Sequence, residues 1–265
     1  MIELKSAREI NLMRNANMIV AETIFELCKA TEPGITTSEL NDLALKTITS
    51  YGAESAFFGY RVDDDSPPYP GVVCISINEE VVHGIPGSRR IESGDIVSFD
   101  VGTKLEGYFG DGAATIAIGD VSKETKRLIE VTLRSLNNGI AHAIIGNKIR
   151  DIGRAVQLTA ESAGFGVVRE MVGHGIGKAL HEDPQVPNYV ANGYSPRLAE
   201  GLTIAIEPMV TVGSWRLKEL EDGWTTVTID GSLSAHFEHS IAVTADGPRI
   251  LTLRENGKPG FEPVK

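Results

Sequence analysis

The stretch DIVSFDVGTKLEGYFGDGAATIAIG, residues 95–119, sets two apolar, β-branched runs on either side of a polar loop rich in Gly. That pattern reads as strand, turn, strand. A hairpin symmetric about Leu105 and Glu106 puts Asp100 and Asp111 directly opposite one another, each five positions from the centre. Directly opposed side chains have Cβ atoms about 5 Å apart, and like charges so placed are destabilising. The pair therefore needs a reason to exist.

Outward from this hairpin, 265 residues suffice for one large domain or two small ones with a substantial core. The 42% apolar and 23% charged residues argue against disorder. No apolar tract approaches the roughly 18 residues of a membrane span. The N-terminal MIELKSAREINLMRNANMIVAETIFELC interleaves apolar residues with charges at helical spacing and lacks the apolar core of a signal peptide, so a cytoplasmic protein is expected. Cys28 and Cys74 are too few for a disulfide framework and show no CxxC spacing, which leaves reduced, buried thiols and excludes a zinc finger. A net charge of −11, with no basic cluster beyond Arg89-Arg90, argues against nucleic acid as the main partner. It suits cationic ligands or bound metal.

The coarse order is helix, helix, strands, then helix, helix, strands. The spacing predicts helices over 6–30, from about 38 to 52 with Ser38 or Thr37 as N-cap, from an N-cap at Ser122 to about 144, and over 149–163. Strands are predicted near 71–77, 95–101, 109–118, 202–206, 208–213, 225–229 and 235–243. A repeat underlies this order. At an offset of 107, RRIESGDIVSFD aligns with SPRLAEGLTIAIE, matching Arg90 with Arg197, Gly94 with Gly201 and Asp100 with Glu207. At 127, YFGDGAA falls on AHFEHSI and Asp111 on Glu238, while a weaker echo at 112 matches Gly34 with Gly146. We read one α+β unit, residues 1–265, with halves at about 1–120 and 121–265.

The repeat brings Asp100, Asp111, Glu207 and Glu238 to equivalent places. Burying four such carboxylates unpaired is prohibitive, at several kcal/mol each even after relaxation. Their strands offer no Lys or Arg at neighbouring positions. A multivalent metal is the better candidate, and a carboxylate-rich site with one or two histidines suits Mn, Fe, Co or Zn rather than thiophilic ions. Among the histidines, His83, His174, His181, His236 and His239 lie in or beside these segments, whereas His142 sits in a helix pattern. Gly173, Gly175 and Gly177 around His174 suggest a loop whose backbone approaches a ligand closely.

The segments HGIP, FDVG, GYFGD, GHGIG, HEDPQVPNY, IEPMV and DGWTTVTIDGSLSAHFEHSI resemble, in order and spacing, the type I methionine aminopeptidases of peptidase family M24. The resemblance runs from about residue 3 to 252. It implies the pita-bread fold, two pseudo-symmetric halves of helix pair plus antiparallel strands around a dinuclear centre of two divalent metal ions of the Co, Mn, Fe, Zn or Ni class. By it, Asp100 chelates one metal, Asp111 and Glu238 bridge both, and His174 and Glu207 complete the other. Glu207 also acts as general base for the attacking water, and one metal takes the free α-amino group. His181 steadies the scissile amide or its oxyanion, and His83 bonds the amide of the leaving side. His239 is expected to support the ligands beside Glu238.

The resemblance further implies that Phe57, Tyr60, Tyr69 and Cys74 line a methionine pocket with Trp224 at its entrance. The insertion RVDDDSPP, residues 61–68, reads as an exposed loop that leaves the placement of Phe57 and Tyr60 open. The implied partners are N-termini of nascent polypeptides carrying a small second residue, met as a monomer and with ribosome association allowed. Two other readings compete. Proline-specific peptidases share the five ligands but usually carry an additional N-terminal domain, and a non-enzymatic binding protein of this fold would have substituted ligands.

Overall fold

The computed structural model describes residues 2–261. Helix α1 (Ala7–Ala30) begins where the Ser6 hydroxyl accepts the Glu9 N–H and the Glu9 carboxylate accepts the Ser6 N–H. This reciprocal cap satisfies two donors that a first helical turn leaves open. Helix α2 (Thr37–Ser50) opens in the same way on Thr36 and Glu39, which corrects the expected N-cap at Thr37 or Ser38. The Glu39 side chain reaches back to the Thr36 N–H, so the box sets the start. Helix α3 (Lys123–Ala141) follows N-cap Ser122 as expected, and α4 (Ile149–Glu161) completes the second pair. In α1 the buried Met13, Ala16, Val20, Ile24 and Leu27 recur at three- and four-residue intervals, giving one apolar face laid on the hairpin.

Every strand pairing among the described residues is antiparallel. In one sheet Ile96–Leu105 pairs with Glu54–Ser55, Cys74–Ile77 and Tyr108–Ala117. A five-stranded sheet runs Gly247–Ile250, His239–Thr244, Thr203–Ile206, Gly173–Gly175, Glu182–Val186. Two three-stranded sheets complete the set, one of which joins Ser234–His236 to Met209–Thr211 and Gly166–Val167. The main core is continuous from Leu27, Leu40 and Phe99 to Leu128, Ile152 and Ile204.

The register of the opening hairpin differs from the symmetric reading. Leu105 pairs with Tyr108, leaving Glu106 and Gly107 as a two-residue turn with φ of 50° and 81°. A turn with both central residues at positive φ matches the twist of the flanking strands, and Gly107 adopts it without steric cost. The centre thus lies one position later than expected, so Asp100 faces Ala113 and Asp111 faces Gly102. A two-residue change of partner keeps both acids on one face. They become diagonal neighbours, about 7–8 Å apart rather than about 5 Å, with room for an ion between them.

The strand expected over 235–243 is interrupted. Ser234–His236 and His239–Thr244 belong to different sheets, and Phe237-Glu238 steps between them. At the positions matched by the sequence repeat the same bonds recur. Arg90 donates to Gly34 O and Arg197 to Gly146 O, while the Gly34 N–H reaches Ile91 O and the Gly146 N–H reaches Leu198 O.

Candidate active site

Backbone geometry gathers the acids. Asp100 and Asp111 share the hairpin face, and Glu207 follows directly on the strand Thr203–Ile206, its carbonyl accepting from Asn188 Nδ2 at 2.9 Å. Glu238 is delivered by the strand interruption. Its N–H donates to Ala113 O at 2.9 Å, and one residue pair earlier Thr115 Oγ1 accepts the His236 N–H and donates to His236 O, both at 2.8 Å. The break is therefore stitched to the same strand that carries Asp111.

Asp111, His174 and Glu238 each offer a ligand atom within 4.8 Å of the others. His174 Nε2 lies 3.7 Å from both Asp111 Oδ2 and Glu207 Oε1. Its Nδ1 is 2.8 Å from Gly175 O, and since a carbonyl only accepts, Nδ1 carries the proton. Nε2 then presents a lone pair to the carboxylates, the tautomer a metal ligand requires. Burial lowers the His174 pKa to about 3, so the ring is neutral near pH 7 and these contacts are not ion pairs.

Burial raises Asp100 to about 7. It also drives Asp111, Glu207 and Glu238 well above the usual carboxylate range, with their mutual repulsion adding to the shift. Among the described residues, only histidines lie within ion-pairing distance of these four acids. Asp100 Oδ1 and Glu238 Oε1 are buried without a hydrogen-bond partner. Unpartnered carboxyl oxygens beside a neutral imidazole, on groups that burial makes reluctant to ionise alone, fit a divalent cation as the group that completes them.

Above this floor opens a cavity of about 470 Å³ lined by Tyr60, Tyr69, Cys74, His83, Asp100, Asp111, His174, His181, Glu207, Trp224 and Glu238, with Phe57. His83 has a left-handed backbone, φ 61°, and its ring meets Trp224 edge-on at 6.1 Å. Burial takes its pKa to about 4. His181 Nδ1 shares a 2.8 Å hydrogen bond with the Tyr60 hydroxyl, and its ring stands 4.4 Å from that of His174. Tyr69 donates to Gly84 O at 2.8 Å. The insertion leaves the wall intact. Tyr69 N–H bonds Tyr60 O at 2.8 Å and Gly59 N–H bonds Tyr69 O at 2.9 Å, so residues 61–68 form a loop on a closed neck, with Val62 at the cavity edge.

Two expectations are corrected. Gly173 and Gly175 serve strand packing rather than ligand approach, because an added Cβ would overlap Ala205 O in one case and Asp183 O in the other. His239 stacks on Phe261, whereas His236 points at the site, with Nε2 3.9 Å from Glu207 Oε2. No local signal separated the two, because strand alternation does not carry across the break at Phe237-Glu238. Met171, Val172, Leu180 and Met209 also wall the cavity, and short unalternating segments gave no hint of them. His142 is exposed and bonds Asn138 O, away from this cavity.

The model of metallopeptidase family M24 matches residues 11–245. Methionine aminopeptidase 1 of Bacillus subtilis is 49% identical over 252 residues, 95% of this chain and 99% of that one. A crystal structure of methionine aminopeptidase from Thermotoga maritima superposes with a TM-score of 0.91 at 43% identity, covering 96% of this chain and 100% of that one. Prolidase from Pyrococcus furiosus, at 22% identity and a TM-score of 0.76, shares the fold alone, and the match spans 66% of its length. The architecture is the pita-bread fold, and with its acids and histidine gathered under one cavity the chain belongs to metallopeptidase family M24, among the methionine aminopeptidases.

Proposed function

We propose that this protein removes the N-terminal methionine from nascent polypeptides and peptides whose second residue is small, with residues 1–265 acting as one catalytic unit. The observation that carries the reading is the set of four carboxylates and a neutral His174, with no Lys or Arg paired to them among the described residues, at the floor of an aromatic-walled cavity. Asp100, Asp111, His174, Glu207 and Glu238 would hold two divalent ions of the Co, Mn, Fe, Zn or Ni class. Such ions, when bound, supply Lewis acidity and make a nucleophile of water at neutral pH.

The remaining work falls to side chains. Glu207 accepts a proton from the attacking water and returns it to the leaving nitrogen. His181, steadied by Tyr60, donates a hydrogen bond to the oxygen on which charge develops, and His83 bonds the amide on the leaving side. Phe57, Tyr69, Cys74 and Trp224 wrap the methionine side chain and exclude water, and the limited space beyond it favours Gly, Ala, Ser, Thr or Cys next. Lowered histidine pKa values keep these rings neutral, able to donate through one nitrogen. The protein works as a cytoplasmic monomer, with ribosome association compatible with nascent substrates. No described helix is long and apolar enough to cross a membrane.

The test is methionine release from Met-Ala-Ser, Met-Leu-Ser and Ala-Pro-Ser, with Co, Mn, Fe and Zn added separately to the metal-free protein. Release from Met-Ala-Ser far faster than from Met-Leu-Ser is expected, with Ala-Pro-Ser inert. Cleavage of Ala-Pro-Ser would favour a proline-specific peptidase. Absence of release with all four metals would favour a binding protein.

A further inference from the structure

We infer that Lys5 and Glu182 are positioning residues for His181, forming a buried clamp between the N-terminal arm and the loop that carries this histidine. The inference rests on the role proposed above for His181. The Lys5 side chain is 1% exposed, and its Nζ lies 2.6 Å from Glu182 Oε2 and 3.1 Å from Glu3 O. Its backbone N–H donates to Gly201 O at 2.7 Å, so the arm is pinned independently of its side chain. The other carboxylate oxygen, Glu182 Oε1, accepts the Lys178 N–H at 2.7 Å and the Ala179 N–H at 3.1 Å. One carboxylate thus closes residues 178–182 into a turn and ties that turn to residue 5.

The arm leaves its mark on Gly177. A Cβ there would overlap Lys5 Cε, so the glycine is the gap through which the lysine stem passes. Gly177 O also accepts the Phe109 N–H at 2.8 Å, which links the loop to the hairpin bearing Asp111. His181 is therefore held from both sides, through the chain by Glu182 and through Nδ1 by Tyr60. Stability alone does not require this arrangement. Ordering a long lysine side chain carries an entropic cost, and a well-packed apolar group commonly does as well as a buried ion pair. What an ion pair with two further N–H bonds adds is a fixed position for the adjoining residue.

The experiment is a double-mutant cycle on the Mn-loaded full chain, with methionine release from Met-Ala-Ser as the readout. Lys5→Met is expected to lower kcat by up to about a hundredfold, the usual cost of misplacing a reacting group by an ångström. KM and Mn affinity, the latter measured calorimetrically, should stay as in the parent. In the His181→Ala background Lys5→Met should add less than about a twofold loss, because its effect passes through the missing ring. Glu182→Gln keeps an oxygen for the Lys178 and Ala179 amides, and it should show the same non-additivity on a smaller scale even if Lys5→Met folds poorly. Equal losses in both backgrounds, no loss in either, or lost Mn binding would overturn the clamp while leaving the peptidase reading intact. A parent that releases no methionine, or a fully active His181→Ala variant, would overturn that reading and the clamp with it.

Discussion

In the metal-free protein Asp111→Asn is expected to raise the melting temperature at pH 7.5 while abolishing peptidase activity after metal is restored. Asp111 is only 4% exposed, and its Oδ1 accepts the Gly112 N–H at 3.1 Å. An asparagine amide has the same shape and can accept that bond through its own oxygen. What changes is a carboxyl group that at pH 7.5 must either carry a buried charge beside three other acids or hold a proton. The gain has an upper bound, because the parent can always take up a proton instead. Starting from the ordinary pKa of 3.8, keeping one such carboxyl neutral at pH 7.5 costs about 5 kcal/mol, at about 1.4 kcal/mol per pH unit.

Part of that burden is shared with Asp100, Glu207 and Glu238, and the amide must itself be desolvated, so we expect about 2 kcal/mol. For a chain of this length that is about 4 °C. At pH 4.5 the bound falls to about 1 kcal/mol, and the shift should shrink below about 2 °C. The assay is a set of thermal melts of both proteins in chelator at the two pH values, followed by activity with Mn. A variant that melts below the parent at pH 7.5, or a shift of equal size at both pH values, would refute the charge argument. An active variant would remove Asp111 from the metal site.

Three further outcomes follow from the same geometry. The metal-free parent should lose stability as pH rises from about 4 to about 7, because folded Asp100, at about 7, holds a proton that the unfolded chain, at 3.8, releases; melts that improve over this range would contradict it. His181→Ala should lower kcat by about two to four orders of magnitude without changing metal content, and loss of metal would make it a ligand. Tyr60→Phe removes the 2.8 Å bond to His181 and should lower kcat about tenfold, the worth of one hydrogen bond; parental kcat would show that Tyr60 does not orient the ring.

The helices and the long strands were legible because their signals are local. Ser122 ahead of α3 marks a helix start by residue type alone. The acids were legible for a different reason: Asp100, Asp111, Glu207 and Glu238 stand in or beside apolar strands, where a carboxylate needs an explanation. What escaped was set by contacts distant in sequence. Nothing near Lys5 announces that Glu182, 177 positions away, will be its partner. His236 looked equivalent to His239 until the strand between them divided into two sheets.

The two places where the structure departs from the expected strands are the two places that build the site. Had the hairpin closed about Leu105 and Glu106, Asp100 and Asp111 would have met face to face with about 5 Å between their Cβ atoms, where like charges are destabilising. The Glu106-Gly107 turn moves them to a diagonal on the same face. Had the strand from 235 continued unbroken, Glu238 would have remained in the ladder of one sheet. Its interruption at Phe237 turns the Glu238 backbone onto Ala113, two residues along the strand from Asp111. The turn leaves the hairpin ladder unbroken from Ile96 with Ala117 to Leu105 with Tyr108, whereas the break at Phe237 costs regular hydrogen bonding and is repaired locally by Thr115 and Ala113. A break that is repaired so fully is a position the site requires, since a strand with no such demand would have kept its ladder.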